Sequence, residues 1–292
     1  MGSASERRPI VLGIDAVDAT PMAVAWAADE AARRGLPLRL VHAVPPASRE
    51  IRGYEESRYQ EALRRTADEA LDKASLTARE RHPDLHVVTA LADGRPGQVL
   101  SRESHHAELV VLGSRGMSRL EELLSAYSVT VPVTAQAHCP VAVVRAPEHT
   151  TENPPYLVVG VDGSPSAAAA VDFAFDQAAL RGAELRAVWA WQSTLIAHLD
   201  EEGAIATLRR LLAETTAGRS ATHPDVTVSH EVVRGHPVEV LSEAGRHALA
   251  VVVGRRGRGG WTGMRLGSVP HGLLHRAPCP VIVAPSVEDE RS

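Results

Sequence analysis

The chain is written twice, and a duplication on this scale restricts it to folds that a half-length unit completes alone or beside its own copy. Ile10-Val11-Leu12-Gly13-Ile14-Asp15 recurs as Leu157-Val158-Val159-Gly160-Val161-Asp162, and Arg34-Gly35 as Arg181-Gly182, both 147 residues on. His82-Pro83-Asp84 recurs as His223-Pro224-Asp225, and Gly113-Ser114-Arg115-Gly116 as Gly254-Arg255-Arg256-Gly257, now 141 residues on. Cys139-Pro140-Val141 returns as Cys279-Pro280-Val281 at an offset of 140. The shrinking offset places a deletion in the second copy between Val44 and His82. It also places one extra residue in the first copy between Gly116 and Cys139. Residues 146–155, rich in proline and polar side chains, read as a linker, so the expected domains are 8–147 and 155–286.

Each half alternates short apolar runs with helical stretches. In the second half the runs are 157–161, 185–190, 226–233, 250–253 and 281–284, with helices expected near 165–181, 195–221, 237–246 and 269–276. Ser164-Pro165 is a start signal and Arg181-Gly182 a stop signal for the first of these. Continuous valine-rich runs mark strands buried on both faces, as in parallel sheets covered by helices. Strands alternating with helices give a βαβ series. The fold class is therefore α/β: two repeated, open, five-stranded, parallel-sheet domains of Rossmann-like type.

Of 292 residues, 44% are hydrophobic and 23% charged, which excludes a disordered chain. Aromatic residues are only 3%, so the cores must be built from Ala, Val and Leu. A net charge of −5 argues against a dedicated nucleic-acid binder. With no apolar run long enough to cross a bilayer and no secretory h-region after Met1, a cytoplasmic protein without a membrane partner is expected. Cys139 and Cys279, each before proline and a valine-rich run, read as buried free thiols. Fourteen histidines scatter along the chain. The His105-His106 neighbours cannot share a helix face, and the His271/His275 pair lacks a third ligand, so no metal site is expected.

Ligands of open parallel sheets bind beyond the carboxyl ends of the strands, where strand order reverses. After the fourth strand of the second half stands Gly254-Arg255-Arg256-Gly257, and Gly267-Ser268 then opens the last helix, a G-x2-G-x9-G-S pattern. Glycines let backbone amides approach an anion, and the helix amino terminus sits beside them. Ser268 offers a hydroxyl to a phosphate oxygen or metal. Asp162, after the first strand, is placed either to accept from a ribose hydroxyl or adenine amino group or to cap the following helix; Gly163-Ser164 leave room for a flat base. There is no lysine after the glycines, which disfavours a fast P-loop ATPase.

These residues resemble the universal stress protein family in its tandem form, from Pro9 to Pro285. The resemblance rests on the glycine pattern, the Val-Gly-Val-Asp-Gly-Ser opening and the closing Ala277-Pro278-Cys279-Pro280-Val281. It implies strand order 3-2-1-4-5 in each domain, ATP between strands one and four, domain pairing through the fifth strands, and a role in stress response. It implies that adenine and ribose fall on Asp162, Gly163, Ala190 and Val253, with Ser164 beside them, and phosphates on Gly254, Arg256, Gly257, Gly267, Ser268 and Val269. Mg2+ is expected with the nucleotide. Corresponding positions of the first half are Asp15, Ala43, Leu112, Gly113, Arg115, Gly116, Ser128 and Val129. That half departs from the pattern. Asp15 is followed by Ala16-Val17, Ala126-Tyr127 stand where the glycine is due, and the extra residue falls in this loop, so a weaker first site is expected. The reading is an ATP-binding regulator acting on an unidentified protein partner, as an intrachain pseudo-dimer able to form homodimers. The alternative is a slow ATPase or nucleotide-dependent phosphotransferase.

Overall fold

A computed structural model describes residues 7–16, 21–46, 54–113, 129–192, 201–258 and 265–285. The chain divides into two compact units, Met1–Arg145 and Ala146–Ser292. In the first, the order is β1 (Ile10–Gly13), α1 (Pro21–Arg34), β2 (Leu38–Val44), α2 (Tyr54–Arg81), β3 (Val87–Asp93), α3 (Pro96–Glu103), β4 (Leu109–Gly113), α4 (Thr130–Gln136) and β5 (Val141–Val144). The second runs β6 (Tyr156–Gly160), α5 (Pro165–Arg181), β7 (Glu184–Trp191), α6 (Glu201–Ser220), β8 (Val228–Arg234), α7 (Pro237–Ala244), a 3-10 turn at Gly245–His247, β9 (Val251–Gly254), α8 (Ser268–Arg276) and β10 (Val281–Ala284).

Within the first unit the strands lie side by side as β3-β2-β1-β4-β5, and within the second as β8-β7-β6-β9-β10. All pairings inside each unit are parallel. The order 3-2-1-4-5 follows from chain direction. The chain steps outward from β1 to β3, then returns past β1 to β4 and β5. Right-handed crossovers place α1 and α2 on one face and α3 and α4 on the other. Every residue of β5, β9 and β10 is buried, as are Ile10, Val11 and Leu12 of β1. By contrast, β3 and β8 expose much of their length, with Val88 and Val233 open to water. How much of a strand its neighbours cover is set by tertiary packing, which a valine-rich run does not reveal.

Helix boundaries follow their end signals. Ser164 is the N-cap of α5, its Oγ accepting from the Ala167 N–H at 3.1 Å, and Pro165 takes the first helical position. Gly182 closes α5 at φ +58°, the left-handed conformation glycine adopts without cost. The repeat also preserves a clasp between its first two helices. Asp29 on α1 accepts from Arg81 and His82 at the end of α2, and Asp176 on α5 meets His223, just past α6, at 3.0 Å. The core holds Phe175, Leu157, Leu185, Leu212 and Leu273 in the second unit, and Ile10, Leu12, Leu38, Leu40 and Leu109 in the first.

The stretch expected to be a linker is anchored to the second unit at its start. Glu148 accepts from Arg181 Nη1 at 2.9 Å with both side chains largely buried. The His149 N–H donates to the Ala248 carbonyl, and its Nε2 to the Pro278 carbonyl at 3.2 Å. The partners of Glu148 and His149 lie far away in sequence, where polar composition gives no sign of them.

Candidate functional site

The reversal of strand order puts a crevice beyond the carboxyl ends of β6 and β9. Val161 continues the β6 ladder with one bond, its N–H donating to the Val188 carbonyl at 2.9 Å, and the chain then turns through Asp162 and Gly163 into α5. Gly163 has φ +74°, and a Cβ there would lie 3.2 Å from the Trp189 ring. From the other side come Gly254, Arg255, Arg256, Gly257 and Arg258, then α8 with Gly267 as N-cap. Asp162, Ala190, Arg256, Gly267 and Val269 are half-buried, while Gly163, Gly257, Arg258 and Ser268 are exposed. Val253, Gly254 and Ser164 are buried.

Of the two roles expected of Asp162, the structure removes one. The helix cap is Ser164, so Asp162 is not the cap. Its Oδ1 accepts from the Ser164 N–H at 2.9 Å, and its Oδ2 accepts from the Arg258 N–H at 3.1 Å. One carboxylate thus ties the turn after β6 to the glycine-rich loop after β9. An ionised carboxylate has about four acceptor positions, so acceptor capacity is left for a ligand.

The three glycines of the pattern differ in how tightly their surroundings demand glycine. A Cβ at Gly254 would lie 2.5 Å from the carbonyl carbon and oxygen of Ser166, so here the end of β9 packs against the backbone of α5. A Cβ at Gly257 would lie 2.6 Å from Asp162 Oδ2. Gly267 is the loosest: its φ of −70° suits any residue, and a Cβ would meet the Arg255 carbonyl oxygen at 3.3 Å. Glycine at 254 and 257 therefore serves contact between protein segments before any approach to an anion.

Accounting for the loop's amides shows which are left for a ligand. Arg255 N–H donates to the Ala284 carbonyl, and Gly267 N–H to the Arg255 carbonyl at 2.9 Å. Arg256 N–H donates to Ser166 Oγ at 3.3 Å, and Arg258 N–H to Asp162. Ser164 Oγ donates to the Arg256 carbonyl at 3.3 Å, which turns the Gly257 N–H, on the opposite side of that trans peptide, away from α5. In α8 the first intrahelical bond runs from His271 N–H to the Gly267 carbonyl, and Pro270 has no N–H. Among the described residues, the N–H groups of Gly257, Ser268 and Val269 have no acceptor. Of the six positions expected to meet phosphates, Arg256 and Gly267 have amides already used in holding the loop. Ser166, which no pattern singled out, is part of that hold; a second small polar residue in the first turn after Ser164-Pro165 was its only signal.

In the first unit the parallel holds for one bond and then ends. Ile14 N–H donates to the Val41 carbonyl at 2.8 Å, as Val161 does to Val188. No non-glycine residue among those described has positive φ, so Ala16 does not take the turn that Gly163 takes, and the chain leaves β1 differently after Asp15. Ala43 and Leu112 are buried, and Gly113 ends β4 as Gly254 ends β9. Val129 is the N-cap of α4, whose first described turn starts two positions later, relative to the Cys-Pro anchor, than that of α8. Val17, Arg115, Gly116, Ala126, Tyr127 and Ser128 lie outside the described residues.

The remaining candidates separate cleanly. His105 and His106 sit past the end of α3 rather than on a helix, and the His105 ring stacks on His138 with centroids 3.5 Å apart. His271 and His275 are neighbours on α8. Among the described residues, no group of three or more His, Cys, Asp or Glu side chains is placed to hold a metal ion. Cys139 and Cys279 are free and buried, and burial pushes both thiols up to about 12. No helix among the described residues is long and apolar enough to cross a membrane.

Comparison with known proteins adds the family. The universal stress protein family matches the chain twice, over residues 6–145 and 156–285. A universal stress protein of Mycobacterium tuberculosis (strain ATCC 25618 / H37Rv) is 36% identical over 298 residues, covering 97% of this chain and 99% of its own. A second from the same strain is 35% identical over 300 residues, covering 97% and 98%. Among solved structures, a universal stress protein from Archaeoglobus fulgidus DSM 4304 superposes with a TM-score of 0.72 at 18% identity, covering 96% of this chain and 97% of that one.

Proposed function

We propose that this chain, which belongs to the universal stress protein family and carries the family's unit twice in tandem, is an ATP-binding regulatory protein whose principal site lies in the second unit. The observation that carries this reading is the set of three amide donors, on Gly257, Ser268 and Val269, held at the crevice between β6 and β9 with no protein acceptor among the described residues. Two of them open a helix, where the dipole favours negative charge. Arg256, Arg258 and Arg265 add cationic side chains to the same loop. These features fit a polyphosphate. Asp162, with acceptor capacity to spare, and Gly163, with no side chain, fit a ribose and a flat base beside it. In this reading Ser268 Oγ joins the phosphates or a Mg2+ ion that they hold; Mg2+ keeps several waters and needs no dedicated protein cage.

Regulation rather than fast turnover follows from what surrounds the loop. The sole lysine of the chain, Lys73, lies on α2 of the first unit, so no lysine of the second unit reaches the phosphates. Nucleotide occupancy would order the loop at the sheet's end and so change the surface offered to a protein partner. The first unit, which lacks the glycine turn after Asp15, is the weaker site.

Denaturing the purified protein and chromatographing the released small molecules tests the ligand; intact ATP is expected. Calorimetry on the full chain should show one tight site per chain. Gly267→Tyr, which puts an aromatic ring against the Arg255 carbonyl and across the start of α8, should abolish that site. Unchanged ATP affinity in Gly267→Tyr overturns the assignment.

A further inference from the structure

We infer that Ser166 is a positioning residue for the glycine-rich loop, setting its affinity for a polyphosphate through a single peptide plane. The inference rests on the nucleotide-binding reading above and extends it to a residue outside every motif in the sequence. Ser166 is on the first turn of α5 and only 3% exposed. Its Oγ accepts from the Arg256 N–H at 3.3 Å. The carbonyl at the other end of that same peptide group, on Arg255, accepts from the Gly267 N–H at 2.9 Å. Gly267 is the N-cap of α8, so the peptide joining residues 255 and 256 is held at its N–H by the start of one helix and at its oxygen holds the start of another. The donors on Ser268 and Val269 follow directly from Gly267.

A peptide plane is rigid, and the soft motion available to it is rotation between its two flanking Cα atoms. Rotation would break both hydrogen bonds together, taking the Arg255 carbonyl away from Gly267. Gly254 allows little slack, because even a Cβ added there would lie 2.5 Å from the Ser166 carbonyl. Ser164 acts on the next peptide, through the Arg256 carbonyl, and Asp162 on the one after it, through the Arg258 N–H. Three successive peptide groups are thus oriented by three side chains from one turn, and Ser166 holds the one that bears on α8. Water cannot readily replace a hydroxyl this deeply buried.

The test uses the full chain, with inorganic tripolyphosphate and ATP as separate probes in calorimetry. Ser166→Ala should weaken both by about tenfold, equivalent to about 1.4 kcal/mol and in the range of one lost hydrogen bond. Ser166→Thr, which keeps an Oγ, should recover most of the loss. In the ligand-free protein, amide exchange at Arg256 and Gly267 should speed up in Ser166→Ala and not in Ser166→Thr. Binding of both probes within twofold of wild type in Ser166→Ala, or loss toward ATP without loss toward tripolyphosphate, overturns the inference while leaving nucleotide binding intact. Failure of the wild-type chain to bind either probe overturns both.

Discussion

Replacing Gly257 by alanine separates binding from folding. The added methyl would lie 2.6 Å from Asp162 Oδ2, closer than a side-chain Cβ comes to any non-bonded heavy atom. The carboxylate or the loop must withdraw, and withdrawal breaks the 3.1 Å bond from the Arg258 N–H and strains the 2.9 Å bond from the Ser164 N–H. A hydrogen bond to a charged group contributes about 1.5–3 kcal/mol. Because Gly257 and Arg258 are exposed, water replaces the lost partner and the lower end applies, about 1.5 kcal/mol. That energy is taken almost entirely from the conformation that presents the loop's donors. Gly257→Ala should therefore bind ATP about tenfold more weakly while its urea midpoint moves little. Gly254→Ala is the contrast. Its methyl would sit 2.5 Å from backbone atoms of Ser166, and neither the end of β9 nor the first turn of α5 can rotate aside. Overpacking of that kind costs about 1–3 kcal/mol of stability. Calorimetry and urea denaturation on both variants decide the matter. If Gly257→Ala keeps wild-type affinity, or loses as much stability as Gly254→Ala, the clasp between Asp162 and the loop is not what shapes the site.

Two further expectations concern the framework. With burial raising both thiols to about 12, Cys139 and Cys279 should resist a disulfide reagent in the native protein at neutral pH and both react once urea unfolds it; rapid labelling of native protein would contradict their burial. Burial pushes the Asp29 carboxyl up, but hydrogen bonds from Arg81 and His82 outweigh it and hold the group below its ordinary value. A lowered native value means the ionised form stabilises the fold above the unfolded value of about 3.9, and that the contribution fades as pH falls below it. The stability gap between wild type and Asp29→Asn should narrow from pH 6 to pH 3, and a gap independent of pH would rule out this linkage.

What could be read directly in the sequence was whatever depends on neighbours along the chain. The duplication, the valine-rich strands, the Ser164-Pro165 start and Gly182 stop of α5, and the glycine pattern after β9 are all local, because hydrogen-bonding periods, capping and turn conformations span a few residues. Strand order itself came by resemblance rather than from spacing. The exposure of β3 and β8 was hidden, since a valine in a strand left open to water looks like a valine in one covered on both faces. So was the anchoring of residues 148 and 149, which read as linker residues while their partners, Arg181 and Pro278, lie far along the chain. At the site, sequence identified which residues approach the crevice and tertiary structure decided what each does there. Asp162 was legible as an acid at a strand end, yet its partner Arg258 is 96 residues away. Gly254 and Gly257 were legible as glycines with a purpose, but the purpose is set by Ser166 and Asp162 arriving from another strand-helix turn. Ser166 was illegible as anything but a small residue in a helix. The division has one physical cause: conformation along the chain is governed by interactions within a turn or a strand pair, while hydrogen bonds between loops exist only after the parallel sheet has brought the ends of β6 and β9 together.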